Sequence, residues 1–206
     1  MIIGLCGLIG SGKGTVSEHL MKEHDYIGTS FAETLKDAAA CIFSWDRDML
    51  EGDTNESRYE REQTDPWWSE RLGVENFSPR YLLQKMGTEV MRHNFHPDIW
   101  VLATERRILD MEKDWADWSR MAGEKTMKPN FVISDVRFPN EMAMIRRNGG
   151  QIWHVQRGEL PDWFGKNPAD IHESETAWNN ETFDATIQND KDIAELCAAV
   201  DNLLKR

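Results

Sequence analysis

The segment Gly7-Leu8-Ile9-Gly10-Ser11-Gly12-Lys13-Gly14-Thr15 constrains this chain more than any other stretch. It follows a short apolar run, Ile2–Cys6, and leads into an amphipathic pattern from Gly12 to about Glu23, so it reads as the turn between a buried strand and a helix. Glycine tolerates φ > 0, which lets successive backbone N–H groups turn toward one point. The helix that begins there adds the positive end of its dipole. Together these features bind phosphate. The spacing fits G-x-x-x-x-G-K, which places Lys13 to bridge the β- and γ-phosphates of ATP. Gly14 stands where Ser or Thr is usual, and Thr15 follows it. Besides Ser11, Thr15 is the nearby hydroxyl suited to Mg²⁺. The donor cradle is therefore read as Gly10, Ser11, Gly12, Lys13, Gly14 and Thr15, with Thr15 the metal ligand.

Further strand-like runs lie at Tyr26–Thr29, Phe131–Ser134, Ile152–Val155 and Ala185–Gln188. Helical patterns fall between them. Ser30-Phe31-Ala32-Glu33 has the form of a capping box opening a helix to about Phe43. Ser78-Pro79 opens one through Arg92, and His96-Pro97 opens another through roughly Met111. Pro139 to Arg147 ends at Gly149-Gly150, and Asp192 to Leu204 closes the set. This alternation predicts a three-layer α/β P-loop NTPase fold, with a mostly parallel sheet of about five strands flanked by helices. A single kinase-type domain over 1–206 is expected, with a polar, substrate-covering insertion at 45–78 and a lid-like segment at 158–178. The stretch from Lys113 to Pro129 carries no clear signal.

Composition narrows the partners. A net charge of -12 argues against a nucleic-acid polymer, whose affinity rests on Lys and Arg neutralising phosphates. A small phosphorylated substrate is compatible with it, since a few converging arginines suffice. No stretch approaches the roughly 20 apolar residues of a membrane span, and the N-terminus lacks the basic flank of a signal peptide. Three scattered cysteines suggest neither a disulfide framework nor a zinc site, so a reducing, cytoplasmic setting is expected. Most of the nine tryptophans read as core packing. Whether the chain forms a homodimer is left open by the sequence.

A small-molecule kinase also needs a second anion site, because donor and acceptor phosphates repel one another. Ser134-Asp135-Val136-Arg137 closes a buried strand, and ligands of doubly wound sheets sit at the carboxyl ends of strands. Asp135 is placed to hold a metal-bound water or orient the acceptor, and Arg137 to neutralise a phosphate. Arg157 leaves the strand Ile152–Gln156 and is the candidate lid arginine. Lys36 lies one turn into the helix opened by Ser30. Arg80 and Gln84, four residues apart, share one helix face. The catalytic candidates are thus Lys13, Asp135, Arg137 and Arg157. Substrate-binding candidates are Lys36, Arg80, Gln84, Asp135 and Arg137.

These residues form blocks that resemble the bacteriophage deoxynucleoside monophosphate kinases. The blocks are Gly7–Thr15, Phe31-Ala32 with Lys36, Arg80 with Gln84–Glu89, Asn94-Phe95 with Trp100, Asp135–Arg137 with Asn140–Met142, Gly150 with His154–Arg157, and His172-Glu173. They occur in the family's order and span most of the chain. The G-K-G-T ending of the loop is similar to that of nucleoside monophosphate kinases such as adenylate kinase. The resemblance implies ATP- and Mg²⁺-dependent phosphorylation of deoxynucleoside monophosphates within a fold that has a core sheet and a mobile lid, in the host cytoplasm if the protein is phage-encoded. Two other readings share the loop. One is a kinase of another acceptor, such as dephospho-coenzyme A. The other is a nucleotide switch, for which Asn189-Asp190-Lys191-Asp192 is only a scrambled version of the Asn-Lys-x-Asp guanine-reading motif.

Overall fold

Ile2–Cys6 (β1) is buried at all five positions, as a strand covered on both faces must be. It is the central strand of a parallel sheet completed by β2 (Tyr26–Thr29), β3 (Asn130–Ile133), β4 (Gln151–Gln156) and β5 (Ala185–Gln188). The order is β2-β3-β1-β4-β5. The computed structural model describes residues 1–123, 128–160 and 171–205, in two compact units. Met1–Ser30 with Glu105–Arg206 forms the first, and Phe31–Thr104 the second.

In the first unit, period-two alternation sends side chains to opposite faces of the sheet. Ile3, Leu5, Val132, Trp153, Val155 and Ile187 pack with Val16 and Leu20 of α1 (Lys13–Glu23) and with Leu196 and Val200 of α9 (Ile193–Leu204). On the other face α7 (Pro139–Arg147) comes so close that a Cβ on Gly4 would lie 2.5 Å from Ile145 Cδ1. Two helical layers thus enclose the sheet, as the alternation of strands and helices predicts. Register brings the carboxyl ends of three strands to one edge, since Gly4 pairs with Ile133 and Cys6 with His154. From β1 the chain moves toward β2 on one side, and from β3 it moves across β1 to β4 on the other. The loops after β1 and β3 therefore part at a topological switch point, where a crevice opens.

The second unit holds α2 (Glu33–Phe43), α3 (Asn55–Glu60), α4 (Pro66–Leu72) and α5 (Pro79–Gln84), followed by a π-helix over Lys85–His93. Side-chain caps start three of these helices. Thr54 accepts from the Ser57 N–H, Asp65 from Trp68 and Ser78 from Tyr81. Phe43 stacks on Trp45 at 4.7 Å and meets Trp68 and Phe77, so the polar 45–78 segment carries a small aromatic core of its own. The long α6 (Ile99–Ala122) begins in this unit and continues into the first.

Four expectations need correction. The Ser30 capping box does not form, because the helix starts two residues later with Ala32 at its N-cap and no side-chain cap. The helix opened by Ser78 changes to π geometry at Lys85, where the Trp100 indole takes the Gly87 carbonyl at 2.8 Å. The helix after His96-Pro97 runs to Ala122 rather than Met111, since Met111, Trp115 and Trp118 keep a helical apolar spacing that interspersed charges obscure. Core packing takes fewer tryptophans than expected: among the described residues Trp100, Trp153 and Trp178 are buried, but Trp67, Trp115 and Trp118 are 51%, 40% and 50% exposed. Residues 161–170 of the lid-like segment 158–178 lie outside the described residues; beyond them His172 caps the short α8 (Glu173–Thr176). Among the described residues no helix is long and apolar enough to cross a membrane.

Trp153 is 1% exposed at the centre of the α1/α9 layer. Trp153→Ala is expected to lower unfolding free energy by about 3–5 kcal/mol in urea titrations. Trp118→Ser on the exposed side of α6 should change it by less than about 1 kcal/mol.

Candidate functional site

The loop after β1 is held open by backbone geometry that other residues resist. Gly7 has φ 146° and Gly12, the N-cap of α1, has φ 105°. A Cβ on Gly7 would lie 2.2 Å from the Val155 carbonyl, and one on Gly12 would lie 2.4 Å from Asn189 Nδ2. The loop is pinned from β5's end as well. Asn189 Nδ2 donates to Ser11 O at 2.8 Å, while the Asn189 N–H donates to Gln156 O at 2.7 Å. Asp190 accepts the Gly158 N–H, and Asp192 caps α9. The four residues that resembled a scrambled guanine-reading motif thus support the loop and the last helix.

Lys13 turns its ammonium back onto the loop, donating to Gly7 O at 2.6 Å and Leu8 O at 2.9 Å. Burial, and next the Arg137 guanidinium, lower its pKa to about 8. Beside it the Cys6 thiol is pushed up to about 12, mainly by burial, and is inert as a nucleophile. Ser11 is 3% exposed and its Oγ has no hydrogen-bond partner. A buried hydroxyl without a partner costs free energy that a bound acceptor would recover. The donors of this cradle therefore fit an anion. Thr15 is half-buried on the first turn of α1, and at Gly14 a Cβ would meet nothing within 4 Å.

A cleft of about 200 Å³ adjoins the loop, lined by Leu8–Ser11 and by His154–Arg157 at the exit of β4. Arg157 is exposed on its rim. His154 is 5% exposed, stacked 4.6 Å from the Phe183 ring, and its Nε2 has no hydrogen-bond partner. Burial, with a smaller contribution from Lys13, lowers its pKa. A polar ring inside the otherwise apolar run Ile152–Val155 was the signal for it in the sequence.

Asp135 and Arg137 emerge from β3 at the same edge, and both act electrostatically on Lys13. The backbone that carries Arg137 is fixed by Glu141, which is 1% exposed and accepts the N–H groups of Arg137 at 2.7 Å and Phe138 at 3.0 Å. The guanidinium ends on Glu175, in a short charge-assisted contact, and on Ser174 Oγ at 3.2 Å. Glu175 escapes sequence reasoning, since nothing in its spacing ties it to a strand end.

Lys36, Arg80 and Gln84 lie in the second unit. Lys36 Nζ donates to Glu51 at 2.5 Å, and Arg47 holds the other oxygen of that carboxylate. Arg80 forms a 3.6 Å ion pair with Glu62, and Gln84 is exposed at the end of α5. Arg92, which has no assigned role, is buried beside the Pro97 carbonyl.

Comparison with known sequences gives concordant matches. The family described as deoxynucleotide monophosphate kinase matches residues 68–200. A putative deoxynucleotide monophosphate kinase of Acanthamoeba polyphaga mimivirus is 29% identical over 207 residues, covering 98% of this chain and 97% of that protein. The deoxynucleotide monophosphate kinase of Enterobacteria phage T4 is 27% identical over 131 residues, 64% of this chain and 47% of the phage protein. A deoxynucleoside-5'-monophosphate kinase of Escherichia phage T5 is 38% identical over 69 residues, 34% of this chain and 22% of that protein.

The lowered Lys13 pKa predicts that any phosphate meeting this ammonium binds with proton uptake. Phosphate oxygens next to the ammonium favour its charged form, so the bound state has the higher pKa. At pH 8 the free loop is near half-protonated, and binding should take up roughly half a proton; at pH 6 both states are charged and uptake vanishes. Calorimetry in buffers of different ionisation enthalpy measures this, and Lys13→Met should abolish the uptake at pH 8.

Proposed function

The chain belongs to the deoxynucleotide monophosphate kinase family, and on that premise we propose that it transfers the γ-phosphoryl group of ATP to a deoxynucleoside monophosphate. One observation carries the site assignment: Lys13 and Arg137, from the ends of neighbouring strands, are close enough that the second cation depresses the pKa of the first. Two cations brought together at one edge, beside an unpartnered buried hydroxyl, suit a position where two phosphates meet.

In this reading the backbone N–H groups of Gly10–Thr15 cradle the donor phosphates. Lys13 leaves the Gly7 and Leu8 carbonyls for the β- and γ-oxygens. An oxygen of the acceptor phosphate attacks the γ-phosphorus, the bond to the β–γ bridging oxygen breaks, and the bridging oxygen leaves as part of ADP. Catalysis here is positioning and charge neutralisation. Arg137 releases Glu175 to bind the transferring group, and Asp135 orients the acceptor. Arg157, on the cleft rim, closes over the phosphates as a lid arginine. Thr15, with Asp135 through water, would hold a Mg²⁺ ion, which neutralises phosphate charge when bound. Lys36, Arg80 and Gln84 are assigned to the acceptor. Segment 45–78 is assigned to covering it, and segment 158–178 to excluding water, within one kinase domain. Three free cysteines and phage relatives support a cytoplasmic setting in the host.

ADP formation is the test, with each deoxynucleoside monophosphate, each ribonucleoside monophosphate and dephospho-coenzyme A supplied separately. Turnover is expected with one or more deoxynucleotides. Lys13→Ala should reduce it to background. Arg137→Ala should lower kcat by about 10²–10³-fold while leaving ATP affinity within a few-fold. Wild-type turnover in Arg137→Ala would remove that residue from the acceptor site. Turnover with dephospho-coenzyme A alone would replace the acceptor.

A further inference from the structure

At the end of α1 far from the phosphate loop, two imidazoles converge on a single carboxylate oxygen. His19, on α1, and His24, at its C-cap, each place Nε2 2.7 Å from Oδ1 of Asp201 on α9. Their rings meet edge to face with centroids 5.3 Å apart, and the three ligating atoms all lie within 4.8 Å of one another. Exposure rises from 14% at His19 to 29% at His24 and 38% at Asp201, so the cluster is walled on one side and open to water on the other. At 1.5 Å of rise per residue, His24 is about 16 Å along the helix from Lys13 and outside the phosphate machinery.

We propose that His19, His24 and Asp201 form a divalent transition-metal site, best suited to Zn²⁺, that ties the C-terminal helix to α1. Two imidazole nitrogens, one carboxylate oxygen and an open fourth position for water are a donor set that Zn²⁺ accepts. Ligand atoms of a tetrahedral zinc site are about 3.3 Å apart at ordinary zinc–ligand distances. Each imidazole therefore retreats from Asp201 by about 0.6 Å, which side-chain rotation supplies. The ion takes the place of the two imidazole contacts now made to Oδ1. Because the ligands come from residues 19, 24 and 201, only the folded pairing of the two helices assembles them, and binding stabilises that pairing by mass action.

The experiment uses the full chain, stripped with chelator and titrated with ZnCl₂ by calorimetry and thermal unfolding. One Zn²⁺ per chain is expected, with the unfolding midpoint rising by several degrees at about 100-fold excess over the dissociation constant. The double variant H19Q/H24Q keeps an amide N–H to donate to Asp201 but offers no imidazole. It should lose both the stoichiometric binding and the midpoint shift, while MgATP affinity stays at the wild-type value. Co²⁺ substituted into the wild-type chain should show ligand-field bands without a thiolate charge-transfer band. Absence of stoichiometric binding, undiminished binding by the double variant, or a thiolate band pointing to Cys6, Cys41 or Cys197 would each overturn the assignment.

Discussion

The first unit is organised around a steric constraint. The chain must leave β1, turn its amides inward and enter α1 while the Val155 carbonyl and the Asn189 side chain press against it. Gly7 and Gly12 meet this by having no Cβ and by adopting backbone angles that side chains resist. The parallel sheet order follows the same need, because it sets the exits of β3, β4 and β5 beside the loop rather than across the fold. Asn189 then closes the arrangement from 178 residues downstream in sequence. Long-range pinning of a glycine-rich loop reduces the conformational freedom that phosphate binding would otherwise have to remove.

Electrostatics at that edge run against the whole-chain charge of -12. Lys13 and Arg137 share one small region, where burial first and the guanidinium second lower the lysine's pKa. Glutamates temper the cations within each unit: Glu175 meets Arg137, and Glu51 bridges Lys36 and Arg47. Carboxylates in these positions resemble the phosphate oxygens that would displace them. An acidic protein can in this way present a local anion site, since fields near a partly dry cleft depend on the nearest charges more than on the distant sum.

Much of this was legible in the sequence, for identifiable reasons. Strands covered on both faces read as apolar runs, so all five were found within a residue or two of their bounds. The phosphate loop was legible because its function fixes residue type and spacing together. The position of Asp135 and Arg137 at the exit of β3, electrostatically coupled to Lys13, was legible because they directly follow a buried strand. Glu175 and Asn189 were not assigned roles, because their importance comes from contacts across 38 and 178 residues of sequence. The last three turns of α6 were lost because charges between Met111, Trp115 and Trp118 mask the apolar stripe. The π-helix at Lys85 depends on the Trp100 indole meeting the Gly87 carbonyl, which no local propensity encodes.

The most direct measurement follows the phosphoryl group itself. ATP labelled in its γ-phosphoryl group is incubated with the protein, Mg²⁺ and a deoxynucleoside monophosphate, and the products are separated. The label is expected in the deoxynucleoside diphosphate, in one-to-one proportion with ADP and with little in inorganic phosphate. Label appearing only as inorganic phosphate, whatever deoxynucleotide is present, would contradict a cradle built for transfer between two nucleotides.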